Sequence, residues 1–433
     1  MDVKERLDDT DAAARLAAAR ELGEAVWRDV AVTDEVNNHV HTFYSFSPYS
    51  PCRAAVKAAQ AGLRAVGIMD HDSVAGCAEM WEAGKALALA TTSGCEIRVN
   101  MTGTRVAGRK TNNPDEPSVS YIALHGIPAP RRAEVKRFLA PIQAARLRRD
   151  RAETDRLNAW LAARGAATLD FDRDVWTVSR AAEGGSVTER HILYALARRL
   201  IAQWGAGAAL LDDVRDRLGL AVSPAQAKLL ADPQNPHYAY DLLGVFKSAL
   251  VPEFFIPSGT DECGSVFEAV RFANDIGAIP AYAYLGDVGE SPTGDKKAEK
   301  FEDDFLDELV PELVRIGFRA ITYMPPRNTV AQLRRVRALC AAHGLMEISG
   351  VDINSSRQSF RCPILLEPEF RHLVDATWAL IAHEKLASIR PERALFHPRN
   401  PRAGRPLAER LAAYAEIGRR LDPRRPEAAP VED

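Results

Sequence analysis

The feature that most constrains this chain is a series of short β-like runs that end in polar or metal-competent residues, with helical patterns between most of them. Seven such runs are read at about 36–42, 65–70, 89–97, 120–127, 278–285, 318–324 and 346–351. Apolar runs of this length alternating with helical periodicity predict repeated β-α units. The expected fold is therefore α/β. In a β/α barrel the residues at the C-terminal ends of the strands converge on one face, so side chains far apart in sequence can share a site there.

Between the fourth and fifth runs lies a segment at 130–257 dominated by Ala, Leu and Arg at helical spacing, which reads as a helical insertion. The expected organisation is an N-terminal helical segment (1–33), a first barrel part (34–129), the insertion, a second barrel part (258–390), and a C-terminal helix with a tail (391–433) that is expected to be disordered from residue 422. The start of the insertion, 131–151, carries eight basic residues against Glu134 and Asp150. A solvated helix face or a phosphate-contacting patch would each produce that pattern.

Composition narrows the function classes. With 46% hydrophobic and 27% charged residues over 433 positions, the chain has an ordinary globular balance. Its net charge of −3 gives no global signal for nucleic acid or an anionic membrane. Six scattered cysteines form no C-x-x-C pair, which fits reduced thiols of a cytoplasmic protein. No run approaches the roughly 20 apolar residues of a membrane span. The absence of G-x-S-x-G, G-x-x-x-x-G-K-[ST] and G-x-G-x-x-G patterns disfavours serine hydrolases, P-loop nucleotidases and dinucleotide oxidoreductases.

The chemistry-bearing residues cluster at the ends of the runs. His39-Val40-His41 alternates along a strand, so both imidazoles share a face and can reach one metal. Asp70-His71-Asp72 follows the apolar run 65–69 and offers a hard oxygen beside a nitrogen donor, while Asp72 or Ser73 is expected to cap the next helix. Glu96 ends the third run, where a carboxylate can bridge two cations about 3.5–4 Å apart. Arg327 and Arg357 follow the sixth and seventh runs, and Lys296 and Lys297 lie in a polar loop after the fifth. All four are candidate contacts to phosphate or carboxylate groups of a substrate.

The order His39-Val40-His41-Thr42, Ser47-Pro48-Tyr49-Ser50-Pro51, Gly67-Ile68-Met69-Asp70-His71-Asp72-Ser73 and Gly94-Cys95-Glu96 resembles the polymerase and histidinol phosphatase (PHP) superfamily of metal-dependent phosphoesterases. The resemblance implies a distorted seven-stranded (β/α)7 barrel and two or three divalent ions, Zn, Mn or Fe. It further implies ligation by His39, His41, Asp70, His71 and Glu96, with Glu96 as a bridge. For the family's next histidine, Tyr121 stands in its place or His125 stands shifted along, and His125 is taken as the candidate. The family's fifth-strand histidine has no counterpart in 280–287, and its closing Asp-x-His reads Asp352-Ile353-Asn354. Asp352 can ligate, whereas Asn354 offers a neutral carbonyl or a hydrogen bond. His191, on a helix of the insertion, resembles an Arg-x-His segment of some members and is a further candidate ligand.

These features point to a metal-dependent hydrolase acting on a phosphate ester, from a small phosphorylated substrate to a nucleic-acid end, with no membrane partner. Two alternatives stay open at this stage. One is metal-assisted attack on an amide or lactone; the other is a non-catalytic binding protein with an eroded metal site.

Overall fold

The computed structural model describes residues 2–113, 116–287 and 300–428. Among them, each expected run forms a strand: β1 (Asn37–Val40), β2 (Ala65–His71), β3 (Ala90–Asn100), β4 (Val119–His125), β5 (Ile279–Tyr284), β6 (Ala320–Tyr323) and β7 (Met346–Ser349). They hydrogen-bond in sequence order in one curled sheet. β1 to β3 are parallel, as are β5 to β7, but β4 is antiparallel to both neighbours.

This departs from the expected (β/α)7 barrel in two ways. A parallel return needs a crossover, usually a helix. The connection from β3 to β4 contains none, so the chain turns back and β4 runs beside β3 in the opposite direction. The other departure is the seam between the first and last strands. It is a single parallel bridge, Val40 with Ile353, rather than a ladder between β1 and β7. The sheet is thus a curled half-barrel whose two edges meet just past β7.

Helices cover the outer face. Pro51–Gln60 starts on Ser50, whose hydroxyl accepts from Arg53 N at 2.9 Å, with Pro51 in the first turn. Its apolar face, with Cys52, Ala55, Val56 and Ala59, joins the barrel core beside Val66 and Ile68 of β2. Arg371–Ile389 packs where the two sheet edges meet: its Thr377 Oγ1 accepts from Asn38 Nδ2 at 2.7 Å, and Asn38 also donates to Ser349 O at 2.9 Å.

The insertion has its own core. Leu157, Leu193, Leu196, Leu200, Leu242 and Phe246 pack together with Phe46, which comes from the loop after β1. The long helix Arg132–Ala162 spans both cores: Val135, Leu139 and Ile142 belong to the barrel, Leu157 and Leu161 to the insertion. One continuous helix therefore acts as the strut that fixes the insertion beside the barrel mouth.

The expected disorder from residue 422 is corrected by packing. Pro426 is buried, Glu427 Oε1 lies 3.4 Å from Lys85 Nζ, and Arg424 pairs with Glu24. No described helix is long and apolar enough to cross a membrane, and the six cysteines are buried free thiols.

Gly350 lies where the seam is tightest. A Cβ there would stand 2.5 Å from His39 Cβ and 2.7 Å from His39 N. The obstacle includes backbone, so it cannot swing away. Gly350→Ala is expected to destabilise the protein by about 1–3 kcal/mol, the range for overpacked cores, read as a lowered urea midpoint; an unchanged midpoint would contradict the close packing of this seam.

Candidate metal centre

β1 presents His39 and His41 to the inside of the curled sheet, and the seam holds them there. His41 N donates to Ile353 O at 3.1 Å, and Ile353 N donates to His39 O at 3.1 Å. Asp352, the neighbour of Ile353, is thereby brought to His41: its Oδ1 is 3.2 Å from His41 Nε2. Asn354 Nδ2 donates to the same Asp352 oxygen at 2.7 Å, so Asn354 orients the carboxylate.

β2 and β3 complete the cluster through their register. His71 sits directly across from Glu96, and the carboxylate Oε2 is 3.1 Å from His71 Nδ1 and 3.9 Å from His39 Nε2. The His41 and His71 rings stack at 4.6 Å, and those of His39 and His41 meet edge-on at 5.0 Å. Two groups of three have donor atoms mutually within 4.8 Å: His39, His41 and Asp352, and His41, His71 and Glu96. Mixed nitrogen and carboxylate donors suit Zn, Mn or Fe.

The electrostatics fit a cation. Burial pulls the imidazolium form of His39 down to about 4, and the charge of His41 adds to the shift. Burial, His41 and Arg146 together hold His71 well below its ordinary value. His41 differs: burial is the largest influence and opposes its charge, but the carboxylates of Asp352, Glu96 and Asp70 together raise it. The buried His41 Nε2 faces Asp352 Oδ1 at 3.2 Å without hydrogen-bond geometry, so this nitrogen is turned into the cluster. The donors present therefore fit a divalent ion.

Asp70 plays a different part from the one expected. Its carboxylate accepts from Thr42 N (2.6 Å), Thr42 Oγ1 (2.7 Å) and Ser45 Oγ (2.7 Å), and it belongs to neither donor group. Ser45 Oγ in turn is 3.3 Å from His41 Nδ1. Asp70 is thus linked to His41 through Ser45, because the turn after β1 engages its carboxylate. Asp72 does not cap a helix either. It adopts φ +49°, and its carboxylate pairs with Arg146; Ser73 Oγ accepts from Ala75 N within the turn, before the helix Cys77–Leu87 begins.

Other expected ligands are not brought together. His125 faces inward, but β4 runs antiparallel, so it lies two residues deeper than Ala123, the partner of Glu96. Tyr121, the other option in that strand, is the residue that reaches the site, with its ring 5.9 Å from His71. His191 turns away: its Nδ1 accepts from Thr188 N at 3.1 Å as part of a helix cap, and its ring packs edge-on against Phe46. Arg327 lines the cavity above the cluster. Arg357 does not; it is tied to Asp241 of the insertion at 2.5 and 2.8 Å. Lys296 and Lys297 lie outside the described residues.

The cavity over the cluster has a volume of about 1150 Å³ and is walled jointly by the barrel mouth and the insertion. Arg98, Glu189 and Arg190, which the sequence did not single out, form part of its side together with Tyr121 and Arg146. Arg146 and Arg149 come from the basic stretch of the long helix, but neither is a solvated face or an open patch. Arg146 pairs with Asp72 and Glu189, Arg149 with Glu153, Glu189 and Glu262, and Arg98 with Glu262 and Glu116. The helical spacing of acids at 150 and 153 among those arginines was the only available signal.

A third acidic group, Asp150, Glu153 and Glu189, lies inside this ion network, so its charge is met by guanidinium groups. Burial, reinforced by Glu189, raises the carboxyl of Glu153 to about 7. A carboxyl raised in the folded state contributes stability that is fully present below its unfolded value near 4.5 and lost as pH rises through 7. Glu153→Gln is expected to remove part of that loss, so its stability relative to the wild type should increase between pH 5 and 8 in urea unfolding. A pH-independent difference would contradict the raised carboxyl.

Comparison with known proteins follows the same outline. Residues 37–168 match the PHP domain family model. A metal-dependent phosphoesterase structure from Bifidobacterium adolescentis aligns with a TM-score of 0.50 at 19% identity, over 78% of this chain and 96% of that one. An amidohydrolase structure from Chromobacterium violaceum aligns with a TM-score of 0.49 at 18% identity, over 79% and 96%. No curated protein matches the sequence. The stretch that is similar to the PHP domain holds His39, His41, His71 and Glu96.

Proposed function

We propose that this protein is a metal-dependent hydrolase and that its substrate is a phosphate ester. The observation that carries the reading is the convergence of His39, His41, His71, Glu96 and Asp352 at the floor of a large cavity whose wall carries arginines. When bound there, a divalent ion supplies Lewis acidity, acidifying water and neutralising charge on a phosphate.

The chain's own residues supply the rest. Arg327 and Arg190 line the cavity and can neutralise non-reacting phosphate oxygens. Burial keeps His39 and His71 neutral near pH 7, so their nitrogens are available as donors. Asp70 and Asn354 fix the rotamers of His41 and Asp352 by the hydrogen bonds described above. The insertion walls part of the cavity through residues such as Glu189, Arg190 and Leu218. The phosphoesterase structure of similar fold supports the phosphate ester over an amide or lactone, and the arginines lining the cavity favour a doubly charged phosphate group.

The test is turnover of phosphate-monoester, phosphodiester, amide and lactone panels by protein reconstituted with Mn, Zn or Fe. Phosphate release is expected, with activity abolished in His71→Ala and lowered on the order of 10²–10³-fold in Arg327→Ala, as for removal of a transition-state charge donor. Asp70→Asn is expected to weaken metal binding by about 10–100-fold, the effect of losing an outer hydrogen-bond partner. Turnover of amides or lactones alone would replace the phosphate reading, and an Arg327→Ala variant at full activity would remove that residue from it.

A further inference from the structure

We infer that the centre holds a single divalent ion, bound around His41 by donors from β1 to β3 and Asp352, and that guanidinium groups occupy the side of the mouth where a second ion would need ligands. The inference rests on the metal-dependent reading above and adds the stoichiometry.

The two donor groups share His41. His41 Nδ1 faces Ser45 Oγ, so Nε2 is the nitrogen aimed into the cluster, and one lone pair serves one ion. The two triads are therefore two halves of one ligand set. Glu96 lies between His39 and His71, at 3.9 and 3.1 Å, as one centre requires.

The opposite wall offers nothing comparable. Where β4, β5 and β6 line the cavity they present Tyr121, Ala283, Tyr284, Thr322 and Tyr323. Among these described residues there is no imidazole or carboxylate, and Tyr284 already donates to Asp303 at 2.5 Å. Two carboxylates that line the cavity, Glu189 of the insertion and Glu116 just before β4, are committed to Arg146, Arg149 and Arg98. Arg98 stands directly across from Tyr121 in the sheet register, and Arg146 pairs with Asp72, the chain neighbour of His71. With those carboxylates held in ion pairs by guanidinium groups, that side of the mouth offers no uncommitted donor set for a second cation.

The experiment is titration of chelator-stripped protein with Mn(II), with bound metal measured by equilibrium dialysis and the bound ion examined by electron paramagnetic resonance. The expected result is a plateau at one equivalent per chain and the spectrum of an isolated ion, with high-affinity binding lost in His41→Ala. A plateau at two or more, or an exchange-coupled spectrum, overturns the single-ion inference while leaving the hydrolase reading intact. No binding of Mn, Zn or Fe at all overturns both. If His41→Ala fails to fold, the wild-type plateau and spectrum still decide.

Discussion

The candidate site depends on how the two edges of the sheet meet. Two backbone hydrogen bonds, His41 N to Ile353 O and Ile353 N to His39 O, join segments more than 300 residues apart. They do more than close the sheet: they set Asp352 beside His41 and fix which way His39 and His41 point. Asn38 strengthens the same junction from the outer face through Ser349 and Thr377. Such long-range pairing forms only after the intervening chain is ordered. The metal site and the fold are therefore completed by the same contacts.

A second constraint comes from the long helix that links barrel to insertion. Its arginines at 146 and 149 are buried with Asp72, Glu153, Glu189 and Glu262. Removing one partner of such a network is destabilising because a buried charge is left uncompensated. The left-handed backbone of Asp72, one residue from His71, is held by this network and by Asp72 N donating to Glu96 O at 2.8 Å. The position of the insertion and the local conformation beside the candidate ligands are thus physically connected.

Much of the fold was legible because strand periodicity is local. All seven strands appear within a few residues of the runs read from the sequence. The direction of β4 was not legible, since it follows from a helix-free connection, and that direction misplaced His125 while favouring Tyr121. His39, His41, His71 and Glu96 were readable from motif and spacing. Asp70 was readable as part of the constellation but not in its role, because its engagement by Thr42 and Ser45 depends on the path of the turn after β1. Arg357 was misassigned for a similar reason: Asp241, which holds it, is distant in sequence. The ion network of Arg98, Arg146 and Arg149 depends on tertiary pairing with Asp72, Glu116, Glu189 and Glu262 from separate segments, which composition cannot reveal.

The most direct test of the central claim is anomalous scattering from crystals grown with Mn or Zn. A peak is expected among His39, His41, His71, Glu96 and Asp352, with Asp70 outside bonding distance of the ion. Absence of a peak there, or a peak only at Asp150, Glu153 and Glu189, would contradict the account.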